Sequence, residues 1–122
     1  MNEEFVKKIY KTIVEEGVTT YRDLYDNTTI NKNTVEYWKK ALELYYTFDI
    51  AQKEIFFDVI KQTIIDTISS VFGVLDGSSS LLDGNFNFDI KIDGNTTRNE
   101  LQDTFLMLIE GRKIHECGSL EK

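Results

Sequence analysis

Between Ile50 and Leu75 the chain repeats apolar residues at intervals of mostly three and four: Ile50, Ile55, Phe56, Val59, Ile60, Ile64, Ile65, Ile68, Val71, Phe72 and Leu75. Such spacing draws a wide apolar stripe along a 3.6-residue helix. Asp58, Gln62, Asp66 and Ser70 fall on the other side at i, i+4 and form a polar line. The stretch therefore reads as one amphipathic helix, its stripe against a core and its polar line toward water or a partner. Thr47 and Asp49 can cap its first turn, and Glu54 brings negative charge to the positive end of the macrodipole. Gly73 or Gly77 can end it, ahead of the turn-forming Asp76-Gly77-Ser78-Ser79-Ser80. About 24 residues at roughly 1.5 Å each reach on the order of 36 Å, the width of a small domain, so the rest of the chain is expected to pack around this rod.

The flanking segments supply the packing. Phe5, Val6, Ile9, Tyr10, Ile13 and Val14 make an amphipathic helix over about 2–16, closed by Gly17. Thr19 or Thr20 can cap a second, shorter helix holding Tyr21, Leu24 and Tyr25, which runs out at Asp26-Asn27-Thr28-Thr29. Asn33 and Glu36 have the form of a capping box before a third helix with Val35, Trp38, Ala41, Leu42 and Tyr45 on one face. Trp38 and the nearby tyrosines, Tyr37 and Tyr46 included, read as core and core-edge residues.

Past the rod the period changes from helical to two. Phe86, Phe88, Ile90 and Ile92 alternate with Asn87, Asp89 and Lys91, the pattern of a strand with one buried face. Asp83-Gly84 is a hairpin dipeptide, so residues 79–82 are expected to pair with 85–90. The free edge of such a hairpin can accept a strand from a second chain. Asp93-Gly94-Asn95 ends the strand, and Thr97 with Glu100 can box the start of a last helix carrying Leu101, Phe105, Leu108 and Ile109 up to Gly111. The fold class is thus α+β, mainly α: about five helices around a long central one (about 50–75) and one small antiparallel hairpin (about 79–92). Length and an apolar content of 41% fit a single compact domain over 1–111, with 112–122 as a polar C-terminal tail.

No constellation for catalysis stands out. His115 and Cys117, the lone histidine and cysteine, are two residues apart in the tail, where a nucleophile and its base are not held in register. Two such ligands also fall short of a zinc site. Asp83-Gly84-Asn85-Phe86-Asn87-Phe88-Asp89 alternates oxygen side chains as a calcium loop does, but Phe88 stands where the loop needs glycine and Gly94 where it needs a bidentate Glu. Asp66 lies among isoleucines, yet its spacing aligns it with Gln62 and Ser70 rather than with the stripe. No catalytic residue, cofactor or metal is expected.

Charge points toward binding. Of the net −7, residues 41–97 carry most, with three Lys or Arg against nine Asp or Glu. An acidic surface repels nucleic acid and attracts a basic protein. The primary expectation is a non-enzymatic acidic protein that binds a basic partner, similar in composition to bacterial immunity proteins and small phage-type inhibitors, with Asp58, Gln62, Asp66, Asp76, Asp83, Asp89 and Asp93 as the contact candidates. The alternative rests on residues 20–46, whose helix, turn and helix, with Leu24, Ile30, Val35 and Leu42 at apolar positions, resemble the helix-turn-helix units of small bacterial regulators. That resemblance implies DNA contacts from Asn31, Lys32, Asn33, Lys39 and Lys40. Glu36 and Glu43 on the same helix oppose it, and a plain helical core explains the same pattern. A homo-oligomer through the strand edge or a helix face fits either reading. With no apolar run after a basic cluster and no long uncharged apolar span, neither a leader nor a membrane segment is expected, and a single cysteine suits the cytoplasm.

Overall fold

The computed structural model describes residues 1–121, and side chains up to Gly111. It is mainly helical, with one two-stranded antiparallel sheet among the described residues. The elements are α1 (Asn2–Ile9), a π-helical stretch (Tyr10–Glu15), α2 (Glu16–Asn27), α3 (Glu36–Tyr46), α4 (Ile50–Asp76), β1 (Lys91–Ile92), β2 (Asn95–Thr96) and α5 (Leu101–Glu121). Close contacts group the chain into two compact units, one of residues 1–11 and 65–122, the other of residues 12–64.

The long amphipathic helix forms as expected and runs unbroken for 27 residues. Asp49 and Gln52 cap it reciprocally. The Gln52 N–H donates to Asp49 Oδ1 at 2.8 Å and the Asp49 N–H to Gln52 Oε1 at 2.9 Å, which satisfies two N–H groups that the first turn leaves open. At the other end Gly77 takes φ +83°, and the N–H groups of Ser78 and Ser79 fold back onto Gly73 O at 2.9 and 3.0 Å. A residue with a Cβ pays for that backbone conformation, so Gly77 rather than Gly73 is the terminator.

Four boundaries differ from the sequence reading. The first helix does not close at Gly17: helical geometry passes through the π stretch into α2, so the expected separate second helix is its continuation to Asn27. Gly17 costs a helix about 1 kcal/mol, less than breaking several backbone hydrogen bonds would. Helix α3 starts at Glu36, not behind an Asn33 cap. The Asn33 N–H instead donates to Asn31 Oδ1 at 2.8 Å and the Asn31 N–H to Thr34 Oγ1 at 2.9 Å, a side-chain-closed turn that competes with helix.

The hairpin is smaller and later than expected. Lys91 pairs with Thr96 and Ile92 with Asn95 around Asp93-Gly94. Both turn residues have positive φ, 50° and 83°, which is the type I′ geometry that matches strand twist. At the earlier signal the Leu81 N–H donates to the Asn85 side chain at 3.0 Å, so residues 79–82 curl into a loop rather than a strand. Finally, α5 is helical past Gly111, and the expected tail with His115 and Cys117 lies outside the described side chains.

Each unit has its own core. In the first, Val6, Tyr10, Ile65, Phe72, Leu101, Phe105 and Ile109 are buried, and α1 packs on α5. Phe72 stands edge-on to Phe105, centroids 5.7 Å apart. The second is aromatic: Tyr25, Tyr45 and Phe57 surround Leu42, with Trp38, Phe48 and Phe56 packed against them. Tyr25 meets Phe56 at 5.0 Å edge-to-face and Tyr45 at 5.1 Å, the tilted arrangements that aromatic quadrupoles favour.

Candidate functional site

The α4 stripe is wider in the sequence than the core it meets. Phe57, Ile65 and Phe72 are buried, whereas Ile55 is 61% exposed and Val59 59%. Helix geometry explains the split. At about 100° per residue, Ile55 and Val59 lie on the same side as Asp58, Gln62 and Asp66, and Phe57 points away from them. The expected burial of Ile55 and Val59 is thus corrected, and so is the omission of Phe57, which is 2% exposed. The outer face of α4 is an acidic strip with two β-branched apolar side chains set into it.

Asp58, Gln62 and Asp66 are all exposed there, as the sequence reading placed them. Asp76 is not. It is 9% exposed, and its Oδ2 accepts the Gln102 N–H at 2.7 Å, capping α5 from the end of α4. A carboxylate committed to a helix N-terminus is structural and leaves the list of partner contacts. Asp83, Asp89 and Asp93 are exposed on the loop and ribbon between α4 and α5. Phe86 and Phe88 accompany them, 69% and 40% exposed, so the expected buried face of the strand is open over this stretch. A cleft of about 230 Å³ separates these rings from Val74 and Leu81.

The candidates for DNA contact divide. Asn31, Lys32 and Asn33 sit in the connection between α2 and α3, and only Lys39 and Lys40 are on α3. Lys40 Nζ lies 3.7 Å from Glu36, so part of that positive charge is met on its own helix.

Behind the strip lie polar side chains that the sequence did not single out. Arg22 binds Glu54 with both guanidinium ends, at 3.0 and 3.3 Å, and its carbon lies 4.3 Å above the Phe57 ring. The Glu54 hydrogen bond pushes the guanidinium further up from its already high range. Asp26 accepts the Tyr45 hydroxyl, and burial together with that bond pushes the Tyr45 phenol up to about 12. Burial first, then the neighbouring hydroxyls of Tyr37 and Tyr21, raises the Tyr25 phenol. These groups hold their protons through the neutral range and stiffen the scaffold that presents α4.

Among the described residues no three His, Cys, Asp or Glu gather as metal ligands would, and no helix is long and apolar enough to cross a membrane. No protein-family model, curated protein or solved structure matches the chain.

Proposed function

We propose that this chain is a non-enzymatic, cytoplasmic binding protein that docks a basic protein partner on the outer face of α4, through Ile55, Asp58, Val59 and Gln62, with Asp66 one turn further on. The supporting observation is the exposure of Ile55 and Val59 between acidic neighbours. An interface core needs apolar anchors inside a polar rim, and Ile55 and Val59 among the α4 carboxylates have that arrangement. The aspartates supply steering: with a net charge of −7, association with a cation-rich surface is accelerated and like-charged competitors are turned away.

The test uses two baits, the natural chain and an Ile55→Glu, Asp58→Lys, Val59→Glu variant with an unchanged melting curve. A partner held by the natural chain alone is purified and titrated at several salt concentrations. The proposal expects a basic partner whose association rate falls as salt rises. A partner held equally by both baits, or one without a basic surface, overturns it.

A further inference from the structure

We infer that Asp83-Gly84 is a modification site: of the chain's three Asp-Gly pairs, it is the one at which the folded protein converts aspartate to isoaspartate. The chemistry needs no co-reactant besides water. The Gly84 backbone nitrogen attacks Asp83 Cγ, a C–N bond forms, and the carboxyl hydroxyl leaves with the nitrogen's proton as water. The product is a five-membered succinimide. Water then adds back to one of its two carbonyls. Opening at the side-chain carbonyl returns aspartate, whereas opening at the main-chain carbonyl leaves the chain running through Cγ, longer by one carbon, with the carboxylate on the former main-chain carbon. Glycine at the following position favours ring closure because no Cβ crowds the attacking nitrogen.

The three pairs, Asp76-Gly77, Asp83-Gly84 and Asp93-Gly94, share that sequence and differ in what the fold does to them. Ring closure requires the aspartate to bring its carboxyl onto the next residue's nitrogen by rotation about its Cα–C and Cα–Cβ bonds. At Asp76 both reacting groups are engaged. Its Oδ2 accepts the Gln102 N–H at 2.7 Å, the Gly77 N–H donates to Val74 O at 3.1 Å, and the residue is buried. At Asp93 the ribbon fixes the backbone: Lys91 pairs with Thr96 and Ile92 with Asn95, and rotating Asp93 away from its left-handed conformation undoes the two-residue turn between them. Asp83 has neither restraint. It is exposed in the turn after Leu82, whose side chain stands fully in water, and among the described residues no hydrogen bond engages its carboxylate or the Gly84 N–H. The bond from the Leu81 N–H to the Asn85 side chain brackets the pair without engaging it, and a Cβ placed on Gly84 would meet nothing within 4 Å. A site that must give up hydrogen bonds or a paired turn to react reaches the reactive geometry about tenfold less often, or more rarely still. The modification lies on the connection between α4 and β1 and does not depend on the basic-partner reading.

The test ages the full folded chain for several weeks at neutral pH, counts isoaspartate by methyl transfer from S-adenosylmethionine with an isoaspartyl methyltransferase, and locates it by peptide mapping. Asp83 is expected to carry isoaspartate at about tenfold or more the level at Asp76 and Asp93. In urea strong enough to unfold the chain, the three pairs are expected to react at similar rates, because the fold and not the dipeptide sets the difference. Asp83→Glu keeps the charge but would have to close a six-membered ring, and is expected to abolish the folded-state signal with an unchanged melting curve. No isoaspartate at Asp83, a level at Asp76 or Asp93 equal to it, or a preference for Asp83 that persists in urea overturns the inference. So does a folded-state signal that survives Asp83→Glu.

Discussion

The backbone N–H of Gln102, in the first turn of α5, donates to the carboxylate of Asp76, the last residue of α4, at 2.7 Å. Two helices that end and begin far apart in sequence thereby share one cap. Among the described residues the other oxygen, Asp76 Oδ1, is buried without a hydrogen-bond partner, so the carboxylate is held for what Oδ2 does at the helix N-terminus. Asp76→Ala is expected to cost about 1–2 kcal/mol, the worth of a helix cap, with Asp76→Asn retaining part of it through an uncharged oxygen. Urea midpoints with an unchanged slope measure both. Equal losses for Ala and Asn would mean that the charge, rather than the bond, carries the cap.

The Gln102 side chain makes Gly73 a test of coupling. Its amide donates to Ser69 O at 3.0 Å, its carbonyl accepts from Ser78 Oγ at 3.0 Å, and a Cβ on Gly73 would stand 2.7 Å from Ser79 Oγ and 2.8 Å from the Gln102 side-chain nitrogen. Replacing a helical glycine by alanine normally gains about 1 kcal/mol, and displacing one hydrogen-bonded amide costs about the same. Gly73→Ala is therefore expected to be near neutral alone and stabilising by about 1 kcal/mol in a Ser79→Ala, Gln102→Ala background, which clears both crowded atoms. A double-mutant cycle by thermal melting reads the difference.

Tyr45 sets the alkaline limit. Its phenol titrates near 12 in the folded chain against 10 as a free group, because it is buried and donates to Asp26. A raised folded-state value means that the neutral form is stabilised by folding. That contribution is complete below pH 10 and is lost as pH rises through 12. Stability is expected to drop over pH 10–12, and Tyr45→Phe is expected to be less stable at pH 8 yet flatter across that window. Absorbance at the tyrosinate band, followed alongside the melting point, checks the assignment.

How much of this was legible in the sequence depends on how local the cause is. The α4 helix is set by its own periodicity, and Asp93-Gly94 forms a hairpin because two adjacent residues accept positive φ. Asp83-Gly84 carries the same signal, but Asn85 offers a side-chain acceptor to Leu81 that no pattern of two-residue turns anticipates. Asp76 looked like a surface acid because its role is given by Gln102, 26 residues on. The Gln52 cap, by contrast, stands three residues after Asp49 and was open to view. Ile55 and Val59 were drawn into the stripe because a stripe counts apolar residues without knowing how many neighbours there are to cover them.

That last point has a direct test, and it separates scaffold from binding face on a single helix. Phe57 fills the aromatic core beside Tyr25 and Tyr45 and carries Arg22 on its ring, whereas Ile55, two residues earlier, has most of its surface in water. Truncating a buried phenylalanine leaves a cavity and costs about 3–5 kcal/mol, while an exposed position away from caps and cores moves stability by about 0.5 kcal/mol or less. Phe57→Ala is therefore expected to lower the melting temperature severely, and Ile55→Ala and Val59→Ala to leave it nearly unchanged while weakening capture of the partner. If Ile55→Ala unfolds the chain as Phe57→Ala does, the helix is rotated from the orientation described, Ile55 belongs to a core, and the α4 face has no apolar anchor with which to bind anything.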